Sequence, residues 1–298
     1  MSPPTRKPAP AAGTHFGSPP DFSQSENALA KPNHPYEVPC YPGSNPPMHA
    51  NFSLTNRIAL VTGSSRGLGR AIAQGLAEAG ARVILHGRDP ARLAATAANL
   101  KNVAGTLAFD VSDTAATKTA FETIKAEHGR LDILVNNAGV IPRKPLLETT
   151  DEDWAEIIDS NLSAYFRLSR EAARLMVPAK SGRIIMISSI MGLVGRPTIP
   201  GYVTAKAGLH GMVRALSAEL APIGITVNAI APGFFPTDAT EALHTDPKFS
   251  EWIASRAPMG RWGDPSELAG PAVFLASAAA SYITGHILVV DGGLTAAL

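Results

Sequence analysis

Tyr202 and Lys206 stand four residues apart in the stretch YVTAK, and two serines, Ser188 and Ser189, precede them in IMISSIMGLVGRPTIPG. Four residues make one turn of helix, so the phenol and the ammonium project from one face. A phenol can exchange a proton, but its ordinary pKa of about 10 is too high for an efficient base near neutrality. A neighbouring ammonium favours the phenolate and lowers that pKa. The pair alone leaves a second reading open, two unrelated surface groups.

A second set of residues suggests what such a proton site would serve. The run LVTGSSRGLGRAIA spaces Gly63, Gly67 and Gly69 as G-x-x-x-G-x-G between an apolar strand pattern and a helical one. Glycines there allow a tight turn, a close approach to a pyrophosphate and helix packing on the strand. The helix N-terminus then offers free N–H groups and a partial positive charge to an anion. Gly63, Ser65, Arg66, Gly67, Leu68 and Gly69 form this cradle. Its alternative is a strand-to-helix turn with no ligand.

The residue that discriminates between dinucleotides is expected at the end of the second strand, roughly 20 residues on. The sequence there is ILHGRD: Gly87 takes the place of an acid and Arg88 follows. An arginine offers charge-assisted hydrogen bonds to a 2′-phosphate, and Arg66 adds a second cation, so NADP is expected over NAD. Asp89 leaves NAD as the alternative, because a shift of one residue restores an acid. Arg88 as an ordinary surface arginine is the plainer reading of that residue. At the end of the third strand, Asp110 and Val111 offer a carboxylate and a backbone N–H to an adenine edge.

These groups need a scaffold. From about Asn56 onward, short apolar runs (RIALVTG, ARVILHG, GTLAFDV, LDILVNNAG, GRIIMISS, ITVNAIAPG, HILVVDGG) alternate with helical stretches. Leu68, Ile72, Leu76 and Ala79 line one helix face, closed by Gly80 at a cap position. Strands apolar throughout, each followed by a helix, imply a parallel sheet covered on both sides. The expected fold is a single α/β, Rossmann-like doubly wound domain over residues 51–298. Residues 1–50 are crowded with proline and show no apolar period, so they are expected to form a disordered tail. A partner-binding proline-rich arm is the alternative for that segment. No apolar stretch follows its early basic residues, which argues against a signal peptide, and Met48 is a candidate natural start.

The bulk numbers narrow the function class. The chain has 298 residues, 45% of them hydrophobic, and a net charge of +1. That balance gives no case for nucleic acid or an anionic membrane as partner. The single cysteine, Cys40, excludes an internal disulfide framework and a thiolate metal cluster. No apolar run approaches the roughly 18 residues of a spanning helix. A cytoplasmic protein acting on a small molecule is expected, with no metal.

Six motifs in order, TGSSRGLG, NNAG (Asn136 to Gly139), SNLSAYF around Asn161, ISS ending at Ser189, YVTAK and APG (Ala231 to Gly233), resemble the short-chain dehydrogenase/reductase family. The resemblance covers residues 54–296. It implies hydride transfer between a nicotinamide and a carbonyl or alcohol carbon, usually in a homotetramer. It implies Asn161, Ser189, Tyr202 and Lys206 as the catalytic set, Ser189 standing 13 residues before Tyr202. Ser188 is then structural. Asn136, Asn137, Ala138 and Gly139 match the segment lining the cofactor, and Pro232, Gly233 and Thr237 the loop near its carboxamide. In these roles Ser189 holds the substrate oxygen, Lys206 also bonds the nicotinamide ribose, and the Asn161 amide fixes a water linking Lys206 to solvent.

The substrate side is similar to the gluconate 5-dehydrogenase group of that family. Arg143, in NNAGVIPRKPLLE, follows the NNAG turn as theirs does and matches a reader of a sugar-acid carboxylate; a surface or interface role is its alternative. Ser189, Met191 and Tyr202 complete the expected substrate contacts. The segment after APG resembles a mobile helical flap. Where that group tends to carry a polar M.SE.GR run, this chain reads IMGLVGR, with Gly192 and Leu193 in place of Ser-Glu. A less polar pocket suits a 3-oxoacyl thioester or another ketone, the second expectation. A silent dinucleotide sensor is a remote third.

Overall fold

The structure is a computed structural model and describes residues 48–297. The expected disordered tail, apart from residues 48–50, therefore lies outside the described residues.

Each apolar run becomes a strand: β1 (Ile58–Val61), β2 (Arg82–Gly87), β3 (Val103–Ala108), β4 (Ile133–Asn136), β5 (Gly182–Ile187), β6 (Ile225–Pro232) and β7 (Ile287–Val290). All pair in parallel, in the order β3-β2-β1-β4-β5-β6-β7. The continuous apolar character of the strands follows from burial on both faces. Along β1, Ala59 and Val61 pack into one core cluster and Ile58 and Leu60 into the other. Along β5, Ile185 and Ile187 join the first cluster, Ile184 and Met186 the second.

Helices close both faces. On the first lie α1 (Gly67–Glu78), α2 (Pro90–Ala97) and, far along the chain, α9 (Ala269–Ala276). The expected stripe on α1 is the buried one: Ile72 and Leu76 are fully enclosed, and Leu68 and Ala79 pack on the same cluster. On the second face lie α3 (Thr114–His128), α5 (Ala164–Met176) and α6 (Pro200–Leu220), with Phe121, Ile124, Leu168, Leu209 and Val213 turned inward. Asp113 caps α3, and Gly129 ends it in the left-handed conformation. Pro200 opens α6 at a first-turn position, where its missing N–H costs nothing.

The short helix α4 (Asp151–Ile158) runs into α5 through a π-helical turn, Asp159–Ser163. The flap region after β6 carries α7 (Glu241–His244) and α8 (Pro247–Arg256). Because β1 has β2 on one side and β4 on the other, the winding reverses between β1 and β4. A crevice opens at the carboxyl ends of the strands at such a reversal, the usual ligand position in open α/β sheets.

Candidate active site

A cleft of about 750 Å³ occupies that crevice. Along its first wall runs the glycine turn between β1 and α1. A Cβ at Gly69 would collide with the Gly63 carbonyl and the Asn137 amide, so that position admits only glycine. Arg66 occupies the N-cap of α1 but makes no capping bond, leaving the helix N-terminus without a side-chain acceptor. The turn is braced from β4 and β2. Asn137 Nδ2 donates to the carbonyls of Thr62 (2.9 Å) and Gly63 (3.1 Å). Thr62 Oγ1 accepts from the N–H groups of Asn137 (2.8 Å) and Ala138 (3.1 Å).

From the β2 side the brace is His86, which sequence reasoning passed over in favour of its neighbours Gly87 and Arg88. Its Nδ1 accepts from the Gly63 N–H at 3.1 Å, and its Nε2 lies 3.2 Å from the Phe109 carbonyl. Those partners require the Nε2–H tautomer. Burial lowers the His86 pKa to about 4, against the opposing pull of the Phe109 carbonyl and Asp110, so the ring is neutral. The available signal was one polar side chain inside the apolar strand VILHG.

Asp89, which left NAD open, is occupied elsewhere: its carboxylate caps α2, accepting from the N–H groups of Ala91 (2.9 Å) and Arg92 (3.2 Å). Gly87 is the last residue of β2. Arg66, Arg88 and Arg92 all border this end of the cleft. Arg88 lies 3.5 Å from Asp110, whose carboxyl is held below its usual range chiefly by Ser112 and then by Arg88. Ser65, Leu68, Val111, Ala138, Gly139, Pro232, Gly233 and Thr237 also line the cleft, as expected. Asn136 does not. Its side chain turns into the core, where Nδ2 donates to Ser169 Oγ at 3.0 Å, so the expectation that it lines the cofactor is corrected. As the last residue of β4 it alternates away from Asn137.

At the opposite wall stand Ser189, Tyr202 and Lys206, all buried. Ser189 follows β5 and caps a short 3-10 turn, its Oγ accepting from the Met191 N–H at 3.1 Å. The Ser189 hydroxyl shares the cleft wall with the Tyr202 phenol and acts to lower its pKa. Tyr202 and Lys206 share one face of α6, but the ammonium is not on the phenol. Lys206 Nζ donates to the Ile187 carbonyl (2.8 Å) and to the buried Tyr165 hydroxyl (3.4 Å), and lies 5.5 Å from the Tyr202 ring centre.

The expected acidification of the phenol is therefore corrected. Burial pushes Tyr202 up to about 12, against the opposing influence of the Ser189 hydroxyl and the charge of Arg143. Burial likewise draws Lys206 down to about 7. Desolvation sets both shifts, and neither group draws on the attraction between phenol and ammonium that their spacing suggested.

Asn161 sits in the π-helical turn. Its Nδ2 donates to the carbonyls of Ile157 and Val140, both at 3.0 Å, and its Oδ1 accepts from the Val140 N–H at 3.2 Å. Both amide hydrogens are thus spent on protein carbonyls, so the expected water would be held through the remaining lone pair of Oδ1. The side chain holds the end of the NNAG segment against α4. Ser188 has the structural role expected of it: its Oγ lies 2.8 Å from His210 Nε2 and donates to the Lys206 carbonyl. A Cβ at Gly192 would stand 2.7 Å from His210 Cε1 and 2.8 Å from the Lys206 oxygen. The buried His210 therefore accounts for the absence of a serine at Gly192.

Arg143 and Met191 stand outside the cleft lining. Met191 packs with Tyr202, Ile190 and Ile199. Arg143 Nη2 donates to the Ala239 carbonyl at 3.0 Å, yet its charge bears on both Tyr202 and Arg196. Arg196 stacks over Phe249, 4.8 Å from its ring centre, within a flap cluster that includes Phe234, Trp252 and Trp262. The arrangement can hold an anionic dinucleotide along one wall and exchange a proton at the other.

Comparison with known proteins agrees with this geometry. A family model described as enoyl-(acyl carrier protein) reductase matches residues 63–295. The chain is 46% identical to a 2-dehydro-3-deoxy-D-gluconate 5-dehydrogenase of Pseudoalteromonas atlantica, over 83% of this chain and 98% of the relative. It is 45% identical to a 3-oxoacyl-(acyl-carrier-protein) reductase of Escherichia coli, over 82% and 99%. Among solved structures, a gluconate 5-dehydrogenase from Burkholderia cenocepacia in complex with NADP and tartrate superimposes with a TM-score of 0.80, at 38% identity, covering 84% of this chain and 99% of that one. The chain belongs to the short-chain dehydrogenase/reductase family, whose members act on hydroxyl and keto groups.

Proposed function

We propose that the protein is an NADP-dependent oxidoreductase that interconverts a secondary alcohol and a ketone on a sugar acid, in the manner of a gluconate 5-dehydrogenase. The observation that carries this reading is one cleft bordered at one end by a glycine cradle with three arginines, and at the other by Ser189, Tyr202 and Lys206 together. The gluconate-type relatives and the NADP–tartrate complex of one of them support the coenzyme and substrate class.

When bound, the nicotinamide supplies or accepts the hydride. Gly63 to Gly69, with Arg66 and Arg88, would hold its phosphates, and Asp110 and Val111 its adenine edge. Ser189 donates to the substrate oxygen. Tyr202, a phenol that stays protonated across neutral pH, delivers the proton to that oxygen during reduction and must recover it in the reverse direction. Lys206, held by Ile187 and Tyr165, would bind the ribose hydroxyls. Asn161 keeps the NNAG segment in place, and Arg143 supplies the positive charge that attracts a carboxylate. We read the protein as a cytoplasmic homotetramer; the exposed apolar side chains Leu147, Trp154 and Phe166, on and beside α4 and α5, support self-association.

A second reading, reduction of a 3-oxoacyl thioester, is favoured by Gly192 and the exposed Leu193 and Val194 beside the site, and by the Escherichia coli relative. Initial rates with NADPH and NADH on a panel of keto sugars, keto acids and acyl thioesters separate the two. NADPH-dependent reduction of 5-ketogluconate is expected, with Arg143→Ala raising KM about tenfold or more and changing kcat less. Turnover of thioesters without turnover of keto acids would replace the first reading with the second.

A further inference from the structure

The three arginines at the coenzyme end of the cleft already have carboxylate neighbours. Asp238 Oδ2 lies 2.5 Å from Arg66 Nη1 and 3.9 Å from Arg92 Nη1, while Arg88 leans on Asp110. Asp238 belongs to a tight turn between β6 and α7, in which Thr240 Oγ1 accepts from the Thr237 N–H (2.9 Å) and donates to the Phe235 carbonyl (2.6 Å). The Thr237 side chain abuts the glycine turn: a Cβ at Gly67 would meet its Cγ2 at 3.4 Å. The next residue, Ala239, accepts from Arg143. A single turn, the stem of the flap, is thus tied by guanidinium groups to the coenzyme side through Asp238 and to the substrate side through Ala239.

We propose that Asp238 is a built-in competitor for the coenzyme's 2′-phosphate, so that NADP binds by exchanging with this carboxylate on Arg66 and Arg92, and Asp238 and Arg92 join the residues that set coenzyme choice. The proposal rests on the NADP reading above. Both members of the Arg66–Asp238 pair are more than half exposed, so the pair is weak and open to exchange. A phosphate dianion offers three acceptor oxygens and more charge than a carboxylate, and a guanidinium fork suits it. The non-phosphorylated dinucleotide has no group to make the exchange and leaves the pairs standing.

Calorimetric titration of the full-length protein with NADP+ and with NAD+ tests this. Asp238→Asn, an isosteric exposed change, is expected to tighten NADP+ about two- to fivefold, the range of an exposed ion pair, and to leave NAD+ unchanged. Arg92→Ala is expected to weaken NADP+ alone. In the double variant the gain from Asp238→Asn is expected to shrink, the non-additivity of groups that share a partner. Equal changes for the two dinucleotides, or weaker NADP+ binding in Asp238→Asn, would overturn the competitor role while leaving the NADP reading intact. A wild-type protein that binds NAD+ but not NADP+ would overturn both.

Discussion

Burial governs the behaviour of the two groups at the centre of the site. Lys206 is enclosed, and its ammonium is costlier in the folded chain than in the unfolded one, which is why its pKa falls from 10.5 to about 7. A lowered lysine pKa means that the unfolded chain binds the proton more tightly. The resulting loss of stability is fully present below about pH 7 and fades as the pH climbs toward 10.5. Replacing Lys206 by methionine is therefore expected to raise Tm at pH 6, by about 2–4 °C for each kcal/mol of relieved charge burial, with the difference shrinking by pH 10 and activity lost. Thermal melts at the two pH values check this; a lower Tm at pH 6 would contradict it. The spacing of Tyr202 and Lys206 was legible in the sequence because helix geometry fixes it locally. The sign of the Tyr202 shift was not, because it is set by burial, which outweighs Ser189 and Arg143 and is created by parts of the chain remote in sequence.

The π-helical turn between α4 and α5 lets Asn161 reach both Ile157 and Val140, so one amide joins a helix to the loop leaving β4. Its truncation leaves two carbonyls and one N–H without their partner. Asn161→Ala is expected to cost about 1–3 kcal/mol of stability in urea unfolding and to lower kcat by displacing the NNAG segment; unchanged stability would contradict the bracing role. The sequence allowed Asn161 to be picked out, but by motif, and its bracing bonds were not legible because the turn that spends both amide hydrogens is a tertiary feature. His86 and His210 escaped for a related reason. Each lies in a segment whose pattern reads as plain strand or helix, and each matters through a partner, Gly63 or Ser188, that is remote in sequence. Seven strands and the buried stripe of α1 were legible because burial on two faces leaves a continuous apolar pattern and helical packing leaves a period near four.

Across the whole molecule, one reversal of winding between β1 and β4 gathers the glycine turn, the NNAG segment, Ser189 and the Tyr202 face of α6 around a single cleft. Among the described residues, no helix is long and apolar enough to cross a membrane. What the sequence could not display was the tie between the flap stem and that cleft: Asp238 and Ala239 meet arginines at 66, 92 and 143. The central claim is that one cleft binds the dinucleotide and lets Tyr202 pass the proton. Its most direct measurement compares wild type with Tyr202→Phe, which removes one oxygen from a buried site, in NADPH binding by fluorescence and in turnover of 5-ketogluconate. The account predicts unchanged NADPH affinity with kcat lowered about 100-fold or more, the scale of a lost general acid. A Tyr202→Phe protein that binds NADPH and still turns over at close to the wild-type rate would contradict it.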